Sequence, residues 1–166
     1  MYNWGELYGS SFFNLEDFIA KIYRTTDKLP IKIDDVDMKI SPLSFQHRSE
    51  IQGILTEAAR DTDYAKASQG TFLAVKYSLK HISGVENYDG SAYELEVGED
   101  GFLTDECVSD LLNLEISAKL GLTAVKLING VPESILDENG KSIEGITLLY
   151  KGATKSPNLK KAKKKK

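Results

Sequence analysis

By residue type, three side chains in this 166-residue chain could carry nucleophilic or metal chemistry: Cys107, His47 and His81. A cysteine nucleophile needs a base within reach. Cys107 falls early in an expected helix, where the helix dipole can lower a thiol pKa, but no flanking motif ties it to either histidine. A half-buried helix cysteine is the plainer reading. His47 falls in the first turn of its helix and His81 at the end of another, where the dipole already favours a histidine. Zinc needs four nitrogen or sulfur ligands in close register, and these three residues are too few and too widely spaced.

The acidic turns invite a calcium reading, but an EF-hand loop needs an acidic ligand five residues before its glycine. Val85 stands there for Gly90, and Ile135 stands there for Gly140. Neither a phosphate-binding Gly-x-x-x-x-Gly-Lys run, a dinucleotide fingerprint nor a nucleophile elbow occurs. The carboxylate pairs Asp34-Asp35 and Glu99-Asp100 fall in turns, where water screens them. We therefore expect no catalytic residue, no metal, no cofactor and no enzymatic activity.

What remains is binding chemistry. Trp4, Tyr8, Phe12 and Phe13 cluster ahead of the first helix, either folding back on the core or offering an anchor to a partner, since aromatics dominate binding hot spots. At the other end, residues 151–166 hold eight lysines and no acid, which leaves 13 basic and 25 acidic residues in 1–150, a net of −12. A body that acidic repels nucleic acid. The tail has almost no apolar content and is expected to be disordered. It is a solvated tail, a phosphate tether through Lys160, Lys161, Lys163, Lys164, Lys165 and Lys166, or a mark of the message. Lysine codons are adenine-rich, and runs of them are where ribosomes change frame. No aromatic residue interleaves the lysines to stack on bases, so nucleic acid is not the expected partner.

The elements that must position these groups follow from periodicity and caps. Ser11 to Tyr23 reads as a helix capped by Asn14, with Leu15, Phe18, Ile19, Ile22 and Tyr23 on one face. Ile31–Ile33 and Val36–Ile40 alternate around Asp34-Asp35 as a hairpin. Ser44 caps a helix to about Arg60 that buries Ile51, Ile54, Leu55 and Ala58. Asp61-Thr62-Asp63 caps a second helix from Tyr64 to Ile82, antiparallel to the first, in which Gly70 marks a kink or a close contact. Asp89-Gly90 and Asp100-Gly101 flank a strand from Ala92 to Val97. Thr104 caps a helix to about Leu114, and Ile116 to Ile128 continues as helix, interrupted near Gly121 and ended by Asn129-Gly130. Ser134–Leu136 and Ile143–Tyr150 flank Asp137-Glu138-Asn139-Gly140 as a second hairpin. No internal repeat is expected.

Apolar residues make up 41% and charged residues 28%, an ordinary globular mix that excludes collagen-like and fully disordered chains. No apolar run approaches the ~18 residues of a membrane span, and no secretory signal is read at the N-terminus. A single cysteine suits a reducing cytosol. The expectation is an α+β fold with helices in the majority: one acidic domain over 1–151, then a Lys-rich tail over 152–166.

The run Lys28-Leu-Pro-Ile-Lys-Ile-Asp-Asp-Val-Asp-Met-Lys-Ile-Ser-Pro-Leu-Ser44, a strand pair and a Pro-Leu-Ser step into a polar helix, resembles small tail proteins of bacteriophages. The nearest groups are tail assembly chaperones and the related baseplate-hub proteins of T4-type phages. The likeness covers about a third of the chain and continues to Ile82 in residue type only. Many such chaperones are made as a short and a frameshifted long form, and Lys163–Lys166 fits the slip site of the short one. The resemblance implies a mostly helical fold, no catalysis, and binding to tape-measure and tail-tube proteins in the host cytoplasm, with homo-oligomerisation open. The β content departs from it and leaves open a structural virion component, a hub or tail-completion subunit. A nucleic-acid accessory protein acting through the tail is the third reading.

Overall fold

The computed structural model describes residues 21–150. Two strands open it, β1 (Leu29–Ile33) and β2 (Val36–Ile40), followed by α1 (Phe45–Asp61), α2 (Tyr64–Ser78) and β3 (Leu79–Ser83). Then come α3 (Asp105–Leu111), α4 (Ser117–Lys126) with a 3-10 turn over Leu127–Asn129, and β4 (Ile146–Leu148). The strands form one antiparallel sheet in the order β3-β2-β1-β4. The fold is α+β. Helix accounts for 40% of the described residues and strand for 18%, so helix leads among regular elements without being the majority of the chain.

Period-2 alternation decides the sheet's faces. Leu29, Ile31, Ile33, Met38 and Ile40 point to the helices and join one hydrophobic core with Ile51, Val75, Leu120 and Leu127. The hairpin expected around Asp34-Asp35 is present, with Leu29 opposite Ile40 and Ile33 opposite Val36. Asp34 takes the left-handed conformation at φ 52, which an aspartate tolerates in a tight turn.

Helix starts follow the expected caps. The Ser44 hydroxyl accepts from His47 N, Asp63 accepts from Ala65 N and Lys66 N, and Thr104 accepts from Cys107 N. Each satisfies a first-turn donor that the helix itself leaves orphaned. The expected antiparallel pair is α1 and α2. Gly70 sits at their contact: a Cβ there would lie 2.6 Å from Leu55 Cδ2. Gly121 does the same for α4 on α2, where a Cβ would lie 2.7 Å from Thr71 Cγ2. The helix therefore runs through Gly121 without the expected interruption, because the missing side chain is what lets the helices meet.

Several elements differ from expectation. The second helix stops at Ser78, and Leu79–Ser83 is a strand on β2. Leu79 and Ile82 are three residues apart and fit a helical face. They also reach one sheet face because the register slips by a bulge between Lys39 and Ile40, which restores inward pointing across an extra residue. Ala92–Val97 is no strand; its ends make single pairings, Glu86 with Ala92 and Val97 with Leu103. The helix from Asp105 ends at Leu111 rather than Leu114. Residues 146–148 pair with β1 and not with Ser134–Leu136, where Leu136 meets only Ser142. Of the expected helix Ser11–Tyr23, residues 21–23 are not helical and the remainder lies outside the described residues, as does the tail.

Candidate functional site

Three segments of the chain adopt one nine-residue turn, a repeat that the sequence reading did not expect. In each, the third residue's N–H donates to the seventh residue's carbonyl: Asn87 to Ser91 at 2.7 Å, Gly98 to Phe102 at 2.8 Å, Asp137 to Lys141 at 2.8 Å. The glycine then closes the turn back on that third residue, Gly90 to Asn87, Gly101 to Gly98 and Gly140 to Asp137. The ends meet as Tyr93 N to Val85 O, Thr104 N to Glu96 O and Ile143 N to Ile135 O. The glycines have φ of 90°, 84° and 77°, the left-handed position that a three-residue hairpin loop requires. The signal in the sequence is an Asp or Asn immediately before glycine, at 89-90, 100-101 and 139-140. Asp89 Oδ1 accepts from Ser91 N, and Asp100 Oδ1 accepts from Phe102 N in the same way.

The second turn is fastened to the helices. Phe102 packs edge-on against both His47 and Tyr77 at 5.1 Å, while those two rings stack at 3.8 Å and 7°. The Lys80 ammonium lies 4.6 Å above the Phe102 ring. Burial lowers the Lys80 pKa, and the neighbouring Lys28 charge adds to that. Burial also raises the Tyr77 hydroxyl, with Glu50 contributing. Leu103 N donates to Lys76 O, and Lys76 forms an ion pair with Asp105 at 2.6 Å. That hydrogen-bonded pairing holds the Lys76 pKa above its ordinary value. One turn thereby ties the start of α1, the end of α2 and the start of α3. An open acidic depression beside it is lined by Glu96, Glu99, Asp100, Asp105 and Glu106.

Cys107 lies fully buried under this region, deeper than the half-buried position expected. Its neighbours are the Tyr93 hydroxyl at 3.2 Å and the Glu96 N–H at 3.5 Å. Tyr93 also reaches Asp110 Oδ2 at 3.4 Å. Burial, then the hydrogen bond to Cys107, push its hydroxyl pKa well up. Neither histidine is among these partners: His47 stacks on Tyr77, and His81 stands on β3 opposite Lys39. His81 is thus a strand residue and not the helix-terminal residue expected. Among the described residues no group of three or more His, Cys, Asp or Glu side chains could hold a metal. No helix there is long and apolar enough to cross a membrane.

Large apolar side chains reach solvent on the turns, at Tyr88, Val97 and Leu136, and at the helix starts, at Phe45 and Tyr64. The aromatic cluster Trp4, Tyr8, Phe12, Phe13 and the lysines Lys160 to Lys166 lie outside the described residues. Compared with family models, with curated proteins and with solved structures, the chain matches none.

Proposed function

We propose that this chain is a non-catalytic binding protein of bacteriophage tail morphogenesis, an assembly chaperone that holds tape-measure and tail-tube proteins in the host cytoplasm. The observation that carries the reading is the segment Lys28–Ser44. Its strand pair and Pro-Leu-Ser step resemble small phage tail proteins, and the segment folds as β1, β2 and a Ser44-capped entry into α1. The three hydrogen-bonded turns support it as well, because binding residues concentrate on loops held by a scaffold. The lysine run Lys163–Lys166 fits the message of a chaperone made in two frames.

The four-stranded sheet favours a second reading, a structural virion component of the hub or tail-completion kind, since the chaperone resemblance implies mostly helix. One experiment separates the two. The chain is tagged in its phage, and both the lysate complexes and the purified particles are quantified by mass spectrometry. A chaperone co-purifies with the tape-measure protein and is absent from particles. Presence in particles at fixed copy number gives the virion reading, and absence from both fractions overturns both.

A further inference from the structure

The sheet has one face against the helices and one that no described element covers. Its outer residues form two cross-strand rows by register. The first runs Thr147, Lys32, Asp37, Ser83, and the second runs Leu149, Pro30, Lys39, His81. Lys28 continues the same side of β1 beyond Pro30. Three lysines and a histidine thus face one aspartate, on a body that is strongly acidic elsewhere. None of Lys28, Lys32 or Lys39 forms an ion pair among the described residues, whereas Lys66, Lys76 and Lys119 are all paired. The face is also partly apolar: Leu149 is 54% exposed beside Pro30, to whose carbonyl its N–H donates at 3.0 Å.

We infer that this outer face is a docking surface, and that its occupant is the chain's own residues 1–20. That segment has the complementary chemistry. It carries Glu6, Glu16 and Asp17 with no lysine or arginine, together with Trp4, Tyr8, Phe12, Phe13 and Phe18. So many aromatics exposed together would make an apolar patch of the kind monomers avoid. The point of entry also fits. The described chain starts at Lys21, and Tyr23 packs edge-on at 6.1 Å on Tyr150, two residues past β4. Both tyrosines lie on the core side of the β4 edge, so residues 1–20 would pass round that edge, beside Leu149, to reach the outer face.

Reach is ample. Twenty residues span about 66 Å extended or about 30 Å as helix, against a four-strand width of about 14 Å. A tethered segment also acts at millimolar effective concentration, which sets it ahead of a second copy of the chain. The acids of the segment meet the lysines while its rings cover Pro30 and Leu149. The inference goes beyond the assembly reading and does not depend on it.

Trp4 is the sole tryptophan, so it reports on the full chain without any label. The experiment is acrylamide quenching and emission of Trp4 in wild type, in the K32E/K39E variant, and in that variant carrying E16K/D17K. The substituted side chains lie on the outer face or in the segment, and circular dichroism checks that each variant is folded. The inference expects blue-shifted, weakly quenched emission in wild type at every protein concentration. Quenching should rise several-fold in K32E/K39E and return toward wild type when the segment's charges are also reversed. High salt should move wild type toward the variant, since screening shortens charge attraction. Wild-type quenching like that of free tryptophan would overturn it. So would protection that K32E/K39E leaves unchanged, which places the segment elsewhere, or protection that grows with concentration, which makes a second copy the occupant.

Discussion

The same four strands present two faces with opposite fates. Towards the helices, Ile31, Ile33, Met38 and Ile40 are at most 1% exposed. One residue along, Lys32, Asp37, Lys39 and Thr147 stand on the other side, on a sheet whose outer face meets no described element. Backbone pairing is common to both faces, so it cannot explain the difference; side-chain type does. A one-residue slip of β1 against β2 would exchange the two sets, and burying lysines without partners would cost far more than the pairing returns. The inner face therefore fixes the register. The outer face, relieved of that task, is free to carry charge for binding.

The largest test of that division is on the inner face. Ile31→Ala removes a fully buried side chain from the central strand β1, and should lower unfolding stability by about 2–5 kcal/mol in urea denaturation. A loss no larger than for an exposed site would break the comparison. Next comes the layer that covers the inner face. Gly70→Leu drives a side chain into Leu55 where even a Cβ is too close, and should cost about 1–3 kcal/mol, read as a lower thermal midpoint. Unchanged stability would mean that α1 and α2 are not locked together by that contact.

Tyr150, at the sheet's end, gives a pH test. Burial, with Tyr23 and Glu133 adding, raises its hydroxyl well above the ordinary value of 10.0, and the hydroxyl donates to Pro132 O. The neutral form is the one the fold stabilises. Its contribution is complete below the unfolded-state pKa and falls away as pH rises above it towards the folded value. Stability should therefore decline on the alkaline side, and Tyr150→Phe should flatten that decline in denaturation series taken above pH 10. An equally steep decline in the variant would assign the effect to other groups, Tyr93 first. The smallest effect belongs to the outer face: Lys39→Gln should change stability by no more than about 0.5 kcal/mol.

How much of this was readable in the sequence depends on how local the cause is. The β1–β2 hairpin and the caps at Ser44, Asp63 and Thr104 follow from neighbouring residues, and they stand where expected. The outer face was legible too, in the alternation of Lys32, Asp37 and Lys39 with Ile31, Ile33, Met38 and Ile40. β3 was not, because Leu79 and Ile82 suit a helical face until pairing with β2 bulges the strand at Lys80 and turns both inward. Nor was the partner of β4, a choice made across more than a hundred residues of chain. Gly121 read as a break because its role lies in Thr71 of another helix. The His47, Tyr77 and Phe102 cluster joins three separate segments and left no local signal. The repeated turn did leave one, in the Asp-Gly and Asn-Gly pairs, but their common hydrogen-bond pattern becomes visible only when the bonds are traced.

The most direct test of the claim that one sheet face holds the fold while the other receives residues 1–20 is the acetylation rate of individual lysines in the intact chain, followed by mass spectrometry. Lys32 and Lys39 should react several-fold more slowly than Lys141 on its exposed turn, and the difference should disappear in denaturant. Equal rates at all three lysines in the folded chain would contradict it.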